Sequence, residues 1–212
     1  TNGRGYNANM VIGNGTENWS YFLNGNFVKI GDRQAPDYNL PNTGKEETAF
    51  SFGVLRHLKD WDFKLHYSFF DQNLALLRAT FLTSPDLDLL TYDYQLEWEH
   101  PQWNGLDGLI GVQYFSQNND NNPGTQTTPF IPNYNTDRFS AFAIENLNFG
   151  KNTLEAGVRL DFETNDVRGR ETNQDIFRDN YNFTNFTVSL GFVRQLRPNS
   201  TFRTNIGTAW RT

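Results

Sequence analysis

The sequence predicts an all-β fold, an antiparallel up-and-down meander of about ten strands. Three observations lead to it: apolar and polar side chains alternate at every second residue, short and long connections alternate, and tryptophans stand beside the short connections. Of the 212 residues 16% are aromatic, yet only 37% are hydrophobic and the mean hydropathy is −0.67. This combination is expected where every second residue faces lipid and the others face water.

The clearest alternation runs through residues 152–164. One face of this segment carries the apolar side chains, and the other face carries charged residues and glycine: Leu154, Ala156, Val158, Leu160 and Phe162 against Glu155, Gly157, Arg159, Asp161 and Glu163. A helix would scatter these charges around its circumference, whereas a strand separates them onto two faces. The segment is therefore predicted to be a strand with one apolar and one polar face.

Nine further segments alternate in the same way, and their lengths are close to the ~9–11 residues that cross a bilayer at a tilt. The ten predicted strands occupy about 5–13, 17–29, 47–57, 61–72, 91–100, 105–117, 136–147, 152–164, 182–195 and 200–211.

The connections between these strands alternate in length. Short turns are predicted near 13–15, 59–60, 101–105, 150–151 and 198–199, and long polar connections at about 30–46, 73–90, 118–135 and 165–181. Outer-membrane barrels have short periplasmic turns and long external loops. Trp19, Trp61, Trp98 and Trp103 all lie beside short turns, as expected for an aromatic belt at a membrane interface. The meander is therefore interpreted as a segment of a transmembrane outer-membrane β-barrel.

Other classes of protein fit the sequence poorly. A net charge of −6 argues against nucleic-acid binding, and the lack of cysteine excludes thiolate metal sites. His57, His66 and His100 have no metal-ligand spacing. Glu97 and Glu99 are expected to be lumen-facing charges, because any water-filled barrel repeats this spacing. We therefore predict no catalytic residue, no metal, no cofactor and no enzymatic activity.

Several segments resemble one family. They are PFIPNY at 129–134, FAIE at 142–145, LEAGVRLD at 154–161 and NIGTAWRT at 205–212. In this order they are similar to TonB-dependent outer-membrane receptors, of the Bacteroidetes type, although Leu160 stands where tyrosine is commoner in the family.

The resemblance implies that residues 1–212 are a partial β-barrel domain, with the plug domain and the C-terminal strands absent. The whole protein would be a barrel of about 22 strands in the bacterial outer membrane. It would import a scarce small molecule or metal chelate (a siderophore, haem, cobalamin or a glycan), with energy from the TonB complex acting through the missing N-terminal part. Its partners would be outer-membrane lipid, the TonB complex and that ligand.

Four residues of the external loops are candidates for ligand binding. Aromatic and cationic groups can stack on or pair with an anionic chelate, which favours Phe130, Tyr134, Arg168 and Arg170.

Two alternatives remain open at this point: a passive porin or adhesin-type barrel, and a soluble all-β binding domain. The soluble domain would bury Leu154, Val158, Leu190 and Phe192 in a two-layer core, whereas a barrel would leave them on the outside of a single sheet.

Overall fold

The computed structural model describes residues 4–34, 39–40, 44–75, 86–121, 131–171 and 175–210. Its strands, in chain order, are β1 Gly5–Gly15, β2 Trp19–Ile30, β3 Arg33–Gln34, β4 Asn39–Leu40, β5 Lys45–Leu58, β6 Trp61–Ala75, β7 Asp86–Trp103, β8 Leu106–Asn121, β9 Asn133–Phe149, β10 Asn152–Arg170, β11 Ile176–Arg197 and β12 Ser200–Gly207. Within these residues, no helix is long and apolar enough to cross a bilayer.

Ten of the strands form one antiparallel sheet in the order β1-β2-β5-β6-β7-β8-β9-β10-β11-β12, so that each strand pairs with its neighbours along the chain. The predicted all-β, up-and-down meander is confirmed. The short strands β3 and β4 pair only with each other, inside the stretch 30–46 that was predicted to be a connection.

Short connections alternate with longer ones, although the last of the longer ones, 171–175, has only five residues. The short turns occupy 16–18, 59–60, 104–105, 150–151 and 198–199. Asn104 and Gly105 both have positive φ (51° and 85°), as a two-residue type I′ hairpin turn requires. This turn fixes the register of the β7–β8 hairpin next to it.

The prediction of a long loop at 165–181 was wrong. β10 continues to Arg170 and β11 begins at Ile176, so the connection is only 171–175. The ladder persists because polar side chains pair across it; Asn180 Nδ2, for example, donates to Asp166 Oδ1 at 2.6 Å. Since the face that is apolar elsewhere carries Asp166, Arg168 and Asn180 here, the pattern of apolar residues that marks the strand is lost. The last strand, β12, is shorter than predicted, because it ends at Gly207 and not at 211.

The sheet has an apolar face and a polar face, which alternate along every strand. On the apolar face Leu154, Val158 and Leu190 are 41%, 45% and 55% exposed, and no hydrophobic residue of the described part of the chain is buried. No second layer covers this face within that part. The two-layer core that a soluble domain would need is therefore not formed by these residues.

Candidate functional site

The polar face of β7 to β10 carries a continuous hydrogen-bond network centred on Arg159. The Arg159 guanidinium donates to Asp161 Oδ1 (2.7 Å), Gln113 Oε1 (2.8 Å) and Ser140 Oγ (2.7 Å). The Ser140 hydroxyl donates in turn to Asp161, and Gln113 donates to Asp93. Ser140 and Asp161 are buried. Arg159 therefore makes three hydrogen bonds to its own wall, through Nε and Nη2, and links four strands.

Next to this network, towards the long connections, lies a cavity of about 470 Å³. We call it the arginine pocket and define it by six of its lining residues: Phe115, Tyr134, Arg138, Glu163, Tyr181 and Phe183. They come from four adjacent strands, β8 to β11, and all stand on the polar face. Four aromatic rings around one arginine and one carboxylate make a surface that can bind a ligand with both planar and charged parts.

Arg138 is held differently from Arg159. Its guanidinium lies over the Phe115 ring, 4.8 Å from the centroid, and Arg138 Nη1 is 3.6 Å from Glu163 Oε2. That separation is an ion pair too long for a hydrogen bond. Arg138 Nε is buried and has no hydrogen-bond partner among the described residues. The guanidinium therefore keeps donors unused at the wall of the cavity.

Glu163 and Tyr134 are fixed by polar neighbours. Asn165 Nδ2 donates to Glu163 Oε1 at 2.9 Å, and the Tyr134 hydroxyl donates to Gln117 Oε1 at 2.8 Å. Burial raises the pKa of Tyr134 above the ordinary value for tyrosine, so its phenol stays neutral at physiological pH. Glu163 and Tyr134 are thus each held by a hydrogen bond, whereas Arg138 is held by an ion pair and a ring contact.

The structure separates the residues predicted to bind ligand. Tyr134 lines the arginine pocket, but Arg168 and Arg170 belong to the opposite face of β10, in register with Asn133 and Ile176. Both arginines lie on a strand and not in a loop, because the β10–β11 ladder extends as far as Arg170. Phe130 lies outside the described residues.

Sequence reasoning missed five of the six residues that define the pocket. A signal was present: Phe115 and Phe183 are large apolar residues at positions where the alternation calls for polar ones. Arg138 and Glu163 were assigned to predicted strands but drew no attention, because their pairing depends on the register between β9 and β10.

A second hollow of about 400 Å³ lies on the polar face between β2 and β7, beside Phe22, Lys64 and His66. Its cation is already paired, because Lys64 Nζ donates to Glu99. This hollow offers less unused hydrogen-bonding capacity than the arginine pocket.

The apolar face carries an aromatic cluster beside the short turns. The rings of Trp61 and Trp98 stack at 4.8 Å, Trp103 meets Trp61 edge-on at 5.8 Å, and His100 stacks on Trp103 at 4.6 Å. Amphipathic rings at one level of an outward face are typical of a membrane interface. The cluster thus has the composition and position expected of an interfacial belt beside the short turns.

Comparison with known proteins identifies the family. The family model described as TonB dependent receptor-like, beta-barrel matches residues 1–212. The crystal structure of the ferric yersiniabactin uptake receptor FyuA from Yersinia pestis is similar, with a TM-score of 0.67 and 10% sequence identity over 95% of this chain. At that identity the likeness shows the fold alone. The aligned region covers 37% of FyuA, so the chain spans little more than a third of that receptor's length.

None of the curated proteins matches the chain by sequence. The matched family is one of outer-membrane receptors of Gram-negative bacteria and is not an enzyme class. The family model covers every residue, and the sheet has the meander topology, alternating connections and two-faced strands of such a barrel. The chain therefore belongs to the TonB-dependent receptor-like β-barrel family.

Proposed function

We propose that the chain is part of the barrel wall of an outer-membrane receptor that takes up a scarce small molecule or metal chelate. The candidate ligands are a siderophore, haem, cobalamin or a glycan. The energy would come from the TonB complex, which would act through a part of the receptor outside this chain.

The opposite character of the two faces is the observation that carries the proposal. Large apolar side chains stand exposed on one face, while buried Asp161 and Ser140 belong to a hydrogen-bond network on the other. Lipid on one side and a water-filled interior on the other account for both, since exposed apolar surface of this extent would otherwise aggregate. The polar face therefore lines the interior of the proposed barrel.

Strand length supports ligand capture on the external side. β10 has 19 residues and β11 has 22, whereas about 9–11 tilted residues cross the bilayer. With the aromatic cluster at one interface, the excess length would lie beyond the other. Arg138 is about 11 residues along β9 from Phe149, so the arginine pocket would lie at the external border.

In this proposal Tyr134 contacts the ligand inside the arginine pocket. Phe130, Arg168 and Arg170 are proposed to contact the ligand from the external side, the two arginines from the end of β10. Long extensions on a rigid wall are where recognition residues commonly lie.

Uptake by cells that carry the whole receptor tests the proposal. A deletion strain and a complemented strain would be compared with ferric catecholate and hydroxamate chelates, haemin, cyanocobalamin and a mixture of oligosaccharides. We expect at least one probe to accumulate only in the complemented strain, and only with an intact TonB complex and proton-motive force. Accumulation that persists without either would show a passive barrel. Recovery of the receptor outside the outer-membrane fraction on a density gradient would contradict the proposed location.

A further inference from the structure

The two arginines on the polar face of β9 and β10 differ in what holds them. Arg159 donates three hydrogen bonds of 2.7–2.8 Å to its own wall. Arg138 has a ring beneath it, a carboxylate at 3.6 Å and a buried Nε without a partner among the described residues. A guanidinium has five N–H donors in a planar fork, and a buried donor left unsatisfied is costly. Arg159 Nε donates to Asp161 Oδ1, whereas Arg138 Nε has no acceptor among the described residues.

The cavity determines which charge a ligand would meet. The charged residues among those that line it are Arg138 and Glu163. The side chain of Arg138 is 30% exposed and that of Glu163 is 4% exposed. Asn165, which also lines the cavity, donates to the carboxylate, and Arg138 is the more exposed of the two charged side chains. A group that enters the cavity is therefore drawn in by a positive charge.

The walls determine the shape that fits. Tyr181 and Phe183 are nearly parallel, with an interplanar angle of 19° and ring centroids 6.4 Å apart. Trp210 packs edge-on against Phe183 at 6.0 Å and supports it from behind. Tyr134 and Phe115 line the same cavity. Rings arranged in this way favour a flat ligand that stacks between them.

We infer that the arginine pocket binds a planar aromatic anion, in which a carboxylate or phenolate accepts from Arg138 and the ring packs against Tyr134, Tyr181 and Phe183. Arg138 pairs with the anion through two parallel N–H donors, a geometry that a guanidinium offers and an ammonium does not. Phe115 holds the guanidinium plane in place from below. This inference rests on the proposed function and narrows its ligand class, away from neutral glycans.

The experiment uses the whole receptor purified in detergent, with three small probes titrated by saturation-transfer NMR against a micelle blank. Benzoate is planar and anionic, benzamide is its neutral analogue, and cyclohexanecarboxylate keeps the charge without the aromatic ring. We expect benzoate to bind with a dissociation constant on the order of 1 mM, as suits a ligand this small. The two analogues should bind at least about fivefold more weakly, because each lacks one of the two features that the pocket recognises.

Variants connect the binding to the pocket. Arg138→Gln should weaken benzoate binding about tenfold or more, since it removes a charge-assisted pair of hydrogen bonds. Arg138→Lys should weaken benzoate binding only about threefold, because lysine keeps the positive charge but lacks the planar pair of N–H donors. Phe183→Leu should also weaken it about threefold through lost stacking. Arg178→Gln is the control, because Arg178 is exposed on the opposite face of β11, five residues from Phe183, and its loss should leave binding unchanged.

Three results would overturn the inference: benzamide binding as tightly as benzoate, equal effects of Arg138→Gln and Arg178→Gln, or no benzoate binding at concentrations on the order of 20 mM. If Arg138→Gln fails to fold, Arg138→Lys and Phe183→Leu test the same contacts. The binding titration needs no energy source, so it separates this inference from the proposed function. If uptake depends on energy but benzoate binding does not depend on Arg138, the proposed function is supported and the inference is wrong. If benzoate binding depends on Arg138 but no energy-dependent uptake occurs, the inference is supported and the proposed function is wrong.

Discussion

On the apolar face, His100 Nε2 lies 3.0 Å from Glu145 Oε2, although β8 runs between the two strands that carry them. The contact is possible because Gly108, the β8 residue between them in register, has no side chain. His100 is buried beneath Trp103, and its other ring nitrogen donates to the Pro101 carbonyl oxygen at 2.9 Å. The pair shields a carboxylate on a surface that faces lipid.

We expect His100→Ala to lower the free energy of unfolding of the whole receptor by about 1–3 kcal/mol, towards the lower end because Glu145 is partly exposed. Urea titrations in lipid vesicles, followed by tryptophan fluorescence, measure this. His57→Ala is the control, because His57 pairs with Asp62 at 2.7 Å and its side chain is 38% exposed against 4% for that of His100, so its loss should cost less than about 1 kcal/mol. Equal losses in the two variants would show that the His100 pair has no special role. Adding Glu145→Gln to His100→Ala should recover part of the loss, since the neutral amide needs no partner charge.

Gly108→Ala tests the same contact sterically. A Cβ at this position would collide with the Ile144 carbonyl oxygen and the Glu145 carboxylate. We expect a loss of about 1–3 kcal/mol in the same urea titration, because backbone has to move. Gly25→Ala has open space within 4 Å and is expected to be neutral or slightly stabilising. A Gly108→Ala variant as stable as Gly25→Ala would argue that Glu145 does not occupy the space over Gly108.

Arg159→Gln removes the cation at the centre of the polar network and leaves the buried Asp161 with a hydroxyl as its remaining partner in the network. Because Asp161 is buried and the Arg159 side chain is 32% exposed, breaking the pair should cost about 1–3 kcal/mol. Arg203→Gln is the matched control, because the Arg203–Glu155 pair is exposed and should contribute less than about 1 kcal/mol. Urea midpoints that shift alike for both variants would refute the structural role given to Arg159.

Membrane depth can be tested on the apolar face. Val158→Arg puts a charge about midway along the spanning part of β10 and should cost about 2–4 kcal/mol. Thr184→Arg lies on the same face near the external border, in register with Phe162, and should cost about 0–1 kcal/mol. The measurement is again unfolding of the whole receptor in vesicles. An equal cost at the two positions would be incompatible with a bilayer centred near Val158.

The sequence was sufficient for the part of the fold that alternation controls. The alternation with period two was enough to assign the residues from Leu154 to Phe162 to one face or the other. Short turns were predicted from glycine, asparagine and proline. Alternation failed where strands leave the membrane, since Asp166, Arg168 and Asn180 are polar on a face that neither lipid nor a core constrains. The prediction therefore ended β10 six residues too early, at 164 instead of Arg170.

The candidate site was harder to predict, because it depends on register across several strands. Arg138 and Glu163 are 25 positions apart in the sequence and become neighbours only through the exact pairing of β9 with β10. Tyr134 was predicted because it is an aromatic residue in a predicted external loop. The other five residues that define the pocket were not predicted. Arg168 and Arg170 were chosen for their charge, and a shift of one residue along a strand is enough to place a side chain on the wrong face.

The bare apolar face has a consequence for how this protein can be studied. The described sheet carries no hydrophobic interior of its own, so in the proposed barrel acyl chains would act as the missing half of its core. Folding and insertion would then be one event, and the thickness and composition of the bilayer would change the melting temperature as directly as a mutation does.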